Sequence, residues 1–282
     1  MTTRSLIFTS MGARPDVLSS WIGNNSKKNN YDIWVYSYDK KNTNSLTLSG
    51  LLSKVSFYNF RPGASKFQNL AHAYYNYPER FRDYTNFLIL DDDISLTPSQ
   101  IHHWIDIHNK YSLDISQPAF KSGPGLQVSW KCTLIQPSCV FHYTSFIEMT
   151  APMFSHTVFH NWIKEFIPYA NRLAGWGTDL FYMLTLDPFK PQAYAVIDDI
   201  VATNPTRSNH QGTIGNKNGM KGLISKKERK RQWEQVRRVK GWNDNRYPIL
   251  QSGHLARTDE SHGVVIYKTP YYHESVNLHP IS

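Results

Sequence analysis

The residues with the clearest capacity for chemistry are three consecutive aspartates, Asp91, Asp92 and Asp93, which follow the apolar run 88–90. An apolar strand buries its side chains, so carboxylates at its carboxyl end emerge together and repel one another unless a cation or water neutralises them. Mg²⁺ and Mn²⁺ prefer such oxygen ligands and often complete their shell with substrate phosphates. Asp91 and Asp93 project to the same side of an extended chain, which predicts a metal and diphosphate site. The alternative is an acidic turn before a helix at Pro98, where aspartate favours the helix dipole.

A second motif is the segment 175–179, Gly-Trp-Gly-Thr-Asp. Two glycines around Trp176 predict a loop whose backbone approaches a ligand closely. Thr178 is suited to cap a following helix, which leaves Asp179 in the first turn, where its carboxylate can act as a general base for a hydroxyl. The alternative is an ordinary helix start with Trp176 in the core.

These residues require a scaffold, and the sequence predicts one in which strands and helices alternate. Apolar or alternating runs predict strands, and capping residues predict helices starting near Pro15, Ser65, Thr97 and Ser155. The predicted strands are 5–10, 33–38, 55–60, 87–90, 115–120, 146–151 and, last in the chain, 263–268. This order predicts an α/β fold with a mainly parallel central sheet flanked by helices on both faces. Ligands in such folds lie outside the carboxyl ends of the strands.

The positive charge is concentrated in one stretch of the chain. The net charge is +9, and the segment from Lys221 to Lys240 holds nine Lys or Arg and two Glu, which gives +7. A helix over 225–239 places Trp233, Val236 and Val239 near one side. Such a helix suits an anionic membrane surface, a phosphate-bearing acceptor or a nucleic acid, and otherwise a solvated face. Because the excess is local, we expect no nucleic-acid partner.

Composition also bears on where the protein works. No apolar run approaches the roughly 20 residues of a membrane-spanning helix, and the apolar run 6–8 is too brief for a signal peptide. Two cysteines, Cys132 and Cys139, are too few for a disulfide scaffold. We therefore expect a cytoplasmic protein that contacts the inner membrane face, if at all, peripherally through 221–240.

With these segments identified, the chain resembles glycosyltransferases of the A-type (GT-A) fold. More closely, it is similar to the domain-of-unknown-function family numbered 707. The resemblance lies in five segments that keep their order, LILDDDI at 88–94, DISQPAF at 114–120, FIEMTAPMFS at 146–155, GWGTDLFY at 175–182 and AVIDDIV at 195–201.

The resemblance implies a donor site for a nucleotide sugar, with a UDP-sugar expected, and a bound Mn²⁺ or Mg²⁺. Asp91 and Asp93 would take the Asp-x-Asp role, with Asp93 the direct metal ligand and Asp91 nearer the ribose or the metal. The remaining donor-site residues would be those at the ends of the first two strands, a lysine for the diphosphate and the central aspartate: Thr9, Ser10, Arg14, Tyr38, Asp39, Lys66 and Asp92.

On the acceptor side, the resemblance implies that Asp179 activates the incoming hydroxyl, which in this fold indicates an inverting reaction. Glu148 is a second candidate for acceptor binding or for the base. Related sequences often supply a histidine to the metal after the strand equivalent to 195–201. Here either Asn204 substitutes for it, or His210 approaches from a mobile loop, or the third protein ligand is absent.

These observations predict one GT-A-like catalytic domain over 1–282. Its parts would be a nucleotide-binding half at 1–95, an acceptor half at 96–204, a mobile loop with the basic helix at 205–240, and a C-terminal segment at 241–282. The acceptor would be a glycan or a lipid-linked glycan, as in bacterial surface polysaccharide synthesis. Two alternatives stay open: a metal-dependent hydrolase or glycosidase using the same carboxylates, and a nucleic-acid-binding protein using the basic helix.

Overall fold

The structure is a computed structural model, and it describes residues 4–12, 15–23, 29–38, 50–187, 189–205, 224–242, 246–256 and 265–277. At 15, 16, 246 and 265–277 only the backbone is described. The predictions made for Arg14, Asp39 and His210 lie outside the described residues, as does most of the predicted mobile loop.

Within the described residues, one twisted sheet has ten strands in the order β10-β9-β6-β8-β5-β7-β4-β1-β2-β3. The strands are β1 (Ser5–Met11), β2 (Tyr31–Ser37), β3 (Phe57–Phe60), β4 (Asn86–Asp91), β5 (Ile115–Phe120), β6 (Cys139–Thr144), β7 (Met153–Ser155), β8 (Tyr194–Ala202), β9 (Arg246–Ala256) and β10 (Val265–Asn277).

The sheet is parallel at one end and mostly antiparallel at the other. Strands β4, β1, β2 and β3 pair in parallel, and β5 pairs in parallel with β8. The short β7 lies antiparallel between β4 and β5, and β6, β9 and β10 add further antiparallel pairings. The predicted α/β class with helices on both faces is confirmed. The parallel arrangement holds for the β4-β1-β2-β3 end, and the sheet as a whole is mixed.

Six α-helices of the described chain pack on the two faces of this sheet. They are α1 (Pro15–Ile22), α2 (Lys66–Asn76), α3 (Pro98–Lys110), α4 (His156–Phe166), α5 (Thr178–Thr185) and α6 (Lys226–Val239). Ser65 and Thr97 cap their helices, as predicted, and each forms a capping box with the glutamine three residues later. Each box satisfies two backbone N–H groups that the first helical turn leaves unpaired.

Side-chain alternation along the strands divides the core into two layers. Leu6 and Phe8 of β1 face the layer under α2, α4, α5 and α6, where Trp233 is fully buried. Ile7, between them, faces the layer under α1 and α3, which includes Trp104. Each such buried aliphatic or aromatic side chain stabilises the fold by roughly 1.5–3 kcal/mol, so both helical layers are firmly attached to the sheet.

The prediction of a strand over 146–151 is wrong. The chain runs there as bends and turns, and the strand β7 begins only at Met153. The physical reason is that much of this segment's backbone bonds to side chains: the carbonyls of Ile147 and Met149 accept from Tyr182 and Lys66. Residues 145–152 form a turn segment that passes beneath the carboxyl end of β4.

The predicted last strand is present but longer than expected, since β10 spans Val265–Asn277. Strands β6 and β9 were not predicted. Among the described helices, the structure contains none with the length and apolar character needed to cross a membrane.

Candidate active site

The three aspartates lie where parallel strands end side by side. In the register of the sheet, Ser10 of β1 pairs with Asp91 of β4, and Met11 pairs with Ser37 of β2. The carboxyl ends of these strands therefore meet at one edge. This is the position at which ligands bind in open α/β sheets.

Asp91 is held by a buried lysine. The Nζ atom of Lys66 lies 2.7 Å from Asp91 Oδ1, and the Lys66 side chain is only 6% exposed. The same ammonium donates to the carbonyls of Ile89, Met149 and Thr150 at 2.8–3.0 Å. Burial lowers the pKa of Lys66, and the charge of the Asp91 carboxylate opposes this without cancelling it. The predicted contact of Lys66 with a diphosphate would have to displace these four acceptors, so the ammonium lies here as a support beneath Asp91.

Asp92 turns away from its neighbours and ties the ends of β1 and β2 together. Its Oδ2 accepts from the backbone N–H of Gly12 at 2.7 Å and from the hydroxyl of Tyr38 at 3.0 Å. A Cβ on Gly12 would lie 2.5 Å from the Tyr38 hydroxyl oxygen, so only glycine fits there. Tyr38 and Asp92, two of the residues predicted at the donor site, are thus joined to each other.

Asp93 is the carboxylate that the protein leaves unsatisfied. Its Oδ1 is buried and has no hydrogen-bond partner among the described residues. Burial, and then the charges of Asp91 and Asp92, raise the pKa of Asp93 to about 7. A divalent cation would relieve this repulsion, and oxygen ligands with phosphates completing the shell suit Mg²⁺ or Mn²⁺. The residues at this edge therefore fit a metal ion.

The protein supplies few ligands for such an ion. Within the described chain, no three His, Cys, Asp or Glu side chains are grouped to hold one metal. Asn204 follows β8, and its neighbour Thr203 bridges to Ser95, just beyond the aspartates. The Asn204 carbonyl accepts from the Gln127 N–H at 2.7 Å. Asn204 is thus brought near the aspartate loop, and its role as a ligand stays a prediction.

Thr9 and Ser10 lie buried near the end of β1. The Ser10 hydroxyl accepts from the Asn69 amide on α2 at 2.8 Å. The Thr9 hydroxyl is buried without a hydrogen-bond partner in the part of the chain that the structure describes. Both residues are placed in the strand that leads to the predicted nucleotide site, although Ser10 is already engaged.

Glu148 lies in the turn segment 145–152, between the aspartates and the second motif. Its backbone N–H donates to Gln117 Oε1 on β5 at 2.6 Å. Burial raises the pKa of Glu148 to about 7, the charges of Asp179 and Asp91 add to this, and hydrogen bonds from Thr150 and Ser129 oppose it. The pKa of Glu148 therefore responds to the charges of both Asp91, at the end of β4, and Asp179, on α5.

Asp179 occupies the first turn of α5, as predicted, and is buried. Its Oδ1 accepts from the Leu180 N–H at 2.9 Å. Burial raises the pKa of Asp179 to about 6, and backbone N–H groups, including that of Met149, oppose the rise. A carboxylate with this pKa is deprotonated near neutral pH and still basic enough to accept a proton. The predicted cap was wrong: Gly177, not Thr178, is the N-cap residue, and it makes no side-chain cap.

Gly177 is approached closely by a side chain from α6. It has φ of +82°, and a Cβ there would lie 2.4 Å from Trp233. Beside it, the ammonium groups of Lys226 and Lys230 lie 5.8 Å and 5.1 Å from the ring centroid of Trp176. The basic helix is therefore packed against the loop that carries Asp179.

Sequence reasoning missed several residues that build this site. Asn69, Gln117, Tyr182 and Trp233 position Ser10, Glu148, the turn segment and Gly177 respectively. Only Tyr182 carried a signal, since it lies three residues after Asp179 on the same helix and so shares its face. The other three act from elements that are distant in sequence.

Comparison with solved structures shows the same fold in S. aureus TarS. The chain superposes on TarS 1–349 bound to UDP with a TM-score of 0.58 and 10% identity, over 86% of this chain and 67% of that one. For TarS 1–349 bound to UDP-GlcNAc the TM-score is 0.56 at 10% identity, over 86% and 68%. A third structure of TarS 1–349 gives 0.52 at 10% identity, over 72% of this chain and 60% of that one.

The chain spans 40% of the longer TarS chain, with a TM-score of 0.54. No family profile and no curated protein sequence matches the chain, so the resemblance to family 707 stays a prediction. At this level of identity the likeness establishes the fold: the chain has the α/β architecture of TarS.

Proposed function

We propose that this protein is a metal-dependent glycosyltransferase that moves a sugar from a UDP-sugar to a hydroxyl group of a glycan or lipid-linked glycan. The observation that carries the proposal is one continuous network joining two carboxylate sites. Lys66 binds Asp91 and the carbonyl of Met149, and the Met149 N–H bonds to Asp179. The residues proposed for the metal and diphosphate are thus joined to the proposed base through Met149, in a fold whose TarS structures hold UDP and UDP-GlcNAc.

On the donor side, Asp93 and Asp91 would hold Mn²⁺ or Mg²⁺, and the edge formed by Thr9, Ser10 and Tyr38 would receive the nucleotide. The cation, when bound, supplies electrostatic stabilisation to the departing diphosphate. Lys66 holds the Asp91 side chain in place, and Asp92 fixes the ends of β1 and β2, so that the site is formed before the donor arrives.

On the acceptor side, Asp179 takes the proton of the incoming hydroxyl as its oxygen attacks the anomeric carbon. The bond from that carbon to the diphosphate breaks, and the nucleoside diphosphate leaves with the bonding electrons. Because attack comes from the side opposite the leaving group, the reaction inverts the anomeric configuration. Glu148, with a pKa of about 7, lies beside Asp179 and would bind an acceptor hydroxyl.

The proposal also covers where the enzyme works, which is the cytoplasm, on glycans destined for a bacterial surface. Contact with the inner membrane face through 221–240 would be electrostatic. On the apolar side of α6, Trp233 and Val236 are buried in the core and are not available to enter lipid, which leaves Val239 as the one exposed residue of that side.

The experiment is a thermal-shift titration with UDP, GDP, CDP and CMP, with and without Mn²⁺. We expect UDP with Mn²⁺ to raise the melting temperature of the wild type, since a ligand that binds only the folded state stabilises it by about 2.7 kcal/mol at 100 times its Kd. Asp93→Ala should abolish the shift, and Asp106→Ala, an exposed aspartate on α3, should leave it unchanged. A chain that responds to no nucleotide would contradict the proposal and favour a hydrolase using the same carboxylates.

A further inference from the structure

A concave surface lies on α6, beside the loop of Asp179 and apart from the aspartates of β4. A groove of about 640 Å³ runs between residues 169–172 and α6. Its charged lining residues are Arg172, Arg231 and Arg238, and we call this feature the arginine groove. Asn171 and Gln235 add side-chain amides to the same walls.

The charge of the arginine groove has one sign. No Asp or Glu is among the described residues that line it. Arg231 pairs with Glu228 on its own helix at 2.7 Å, whereas neither Arg172 nor Arg238 makes an ion pair among the described residues. Guanidinium groups match phosphate and carboxylate oxygens with two parallel hydrogen bonds, so the groove suits an anion with several such groups.

The shape of this surface favours a polymer over a lipid bilayer. On the apolar side of α6, Trp233 and Val236 are at most 1% exposed, and Val239, which lines the groove, is 67% exposed. A helix that lies in a membrane interface needs a continuous apolar face for the lipid, and here only one valine of that face is open to solvent. A concave, cationic groove with amide groups instead suits a chain that carries both negative charge and hydroxyl groups.

The helix carries this cationic surface to the catalytic loop. Lys226 and Lys230 lie over Trp176, and Trp233 packs on Gly177, two residues before Asp179. From Lys226 to Arg238 the helix extends about 18 Å at 1.5 Å per residue. A chain bound along α6 would therefore reach from the arginine groove to the loop that holds the base.

We propose that the arginine groove binds an anionic glycan, one carrying phosphate or carboxylate groups, and that this glycan is the acceptor chain of the enzyme. The second clause rests on the glycosyltransferase function proposed above. The inference names the acceptor class that the catalytic carboxylates alone do not specify.

The test measures binding of fluorescent phosphodextran, polygalacturonate oligomers and neutral dextran to the full chain, without nucleotide or metal. The wild type should bind both anionic glycans and not dextran. Arg172→Ala with Arg238→Ala should weaken anionic binding at least tenfold. A matched pair of exposed lysines, Lys54→Ala with Lys110→Ala, should change it less than twofold. Arg172→Lys with Arg238→Lys keeps the charge but loses the paired hydrogen bonds, so it should weaken binding less than the double alanine variant does.

Binding to phosphatidylglycerol vesicles tests the alternative that this surface binds an anionic membrane. If the wild type binds these vesicles and neither anionic glycan, or if the double alanine variant binds the glycans like the wild type, the inference is overturned. The UDP–Mn²⁺ thermal shift is recorded on the same variants and should equal that of the wild type. Loss of glycan binding in the double variant, with no nucleotide shift in any protein, would retain the groove as an anionic-glycan site and overturn the transferase.

Discussion

The edge at Asp91–Asp93, proposed above to hold the donor and called here the donor edge, and the loop at Asp179, proposed to face the acceptor, both bury carboxylates. They raise carboxylate pKa values in different ways. Burial is the largest cause in both places. At Asp93 the next causes are the charges of two adjacent aspartates, whereas at Asp179 they are backbone N–H groups that favour the ionised form. Crowded carboxylates are relieved by a cation, and an isolated buried carboxylate is relieved by a proton. The two regions are thus suited to different chemical tasks.

The largest effect is expected from removing the proposed base, Asp179, while the donor edge is left unchanged. Asp179→Asn should lower turnover of a UDP-sugar by about 10²–10⁴-fold, the usual contribution of a positioned base. The UDP–Mn²⁺ thermal shift should stay as in the wild type, because the donor edge is untouched. Asp106→Asn is the matched control. An Asp179→Asn enzyme with wild-type turnover would remove Asp179 from the mechanism.

The donor edge is supported by the buried ammonium of Lys66, so removing that ammonium should destabilise the fold. Lys66→Met keeps the chain's length and leaves Asp91 and three carbonyls without their donor. Losing one partner of a buried pair costs about 3–5 kcal/mol, and we expect about 3 kcal/mol because Asp91 is partly exposed. Urea denaturation measures the change, with exposed Lys110→Met as the control. A loss below 1 kcal/mol would show that water replaces the ammonium.

Glu148, which is buried beside Asp179, should make the stability of the protein depend on pH. Burial raises the pKa of Glu148 from its ordinary 4.5 to about 7, so the fold favours the protonated form. This contribution is fully present below pH 4.5 and is lost as the pH rises through 7. Between pH 5 and pH 8 the metal-free wild type should lose on the order of 2 kcal/mol more stability than Glu148→Gln. Exposed Glu79→Gln should follow the wild type, and parallel curves for all three would contradict the assignment.

Two glycines separate the effect of backbone strain from the effect of close packing beside Asp179. Gly177 and Gly241 both have positive φ, but only a Cβ at Gly177 would meet Trp233. Gly241→Ala should cost about 1 kcal/mol for strain alone, and Gly177→Ala about 1–2 kcal/mol more for overpacking. Thermal denaturation compares them. Equal losses would mean that α6 moves away without cost and is not firmly packed on the loop.

The smallest effect is expected at the hydroxyl that ties Asp92. Tyr38→Phe should destabilise by about 1 kcal/mol, because the Asp92 carboxylate loses the hydroxyl donor and keeps the Gly12 N–H. The control lies on the adjacent strand: the Tyr58 hydroxyl is buried with no partner among the described residues. Tyr58→Phe should therefore be neutral or slightly stabilising. If Tyr58→Phe were the more destabilising of the two variants, the hydrogen bond from Tyr38 to Asp92 would not contribute to stability.

Local signals in the sequence predicted the parts of this fold that local chemistry determines. The capping boxes at Ser65 and Thr97, the strand before Asp91 and the helix after Asp179 are fixed by neighbours within a few residues. The prediction of a strand over 146–151 is wrong because the pattern reflects buried apolar residues, whereas the carbonyls of this segment bond to Lys66 and Tyr182 from other elements. Periodicity registers burial and does not identify hydrogen-bond partners.

The same limit applies to the site and to the antiparallel half of the sheet. β9 contains Pro248 and Gly253, which weaken a strand signal, and it gains its order by pairing with β6 and β10. The packing of Trp233 on Gly177 joins residues 56 positions apart, and no spacing rule predicts such a contact. The sequence therefore predicts the charged residues of the site and two of their partners, Lys66 and Tyr38, but not the partners Asn69, Gln117 and Trp233, which lie on elements distant in sequence.

The charge of Asp91 couples the binding of a cation at the aspartates to the ionisation of Glu148 in the turn segment. The charge of Asp91 raises the pKa of Glu148, and Lys66 bridges from Asp91 to Met149, the residue after Glu148. Any cation that neutralises Asp91 therefore makes Glu148 more acidic. By thermodynamic reciprocity, ionisation of Glu148 must tighten the binding of that cation by the same factor. Occupancy of one site is thus communicated to the other through fixed charges, with no change of shape required.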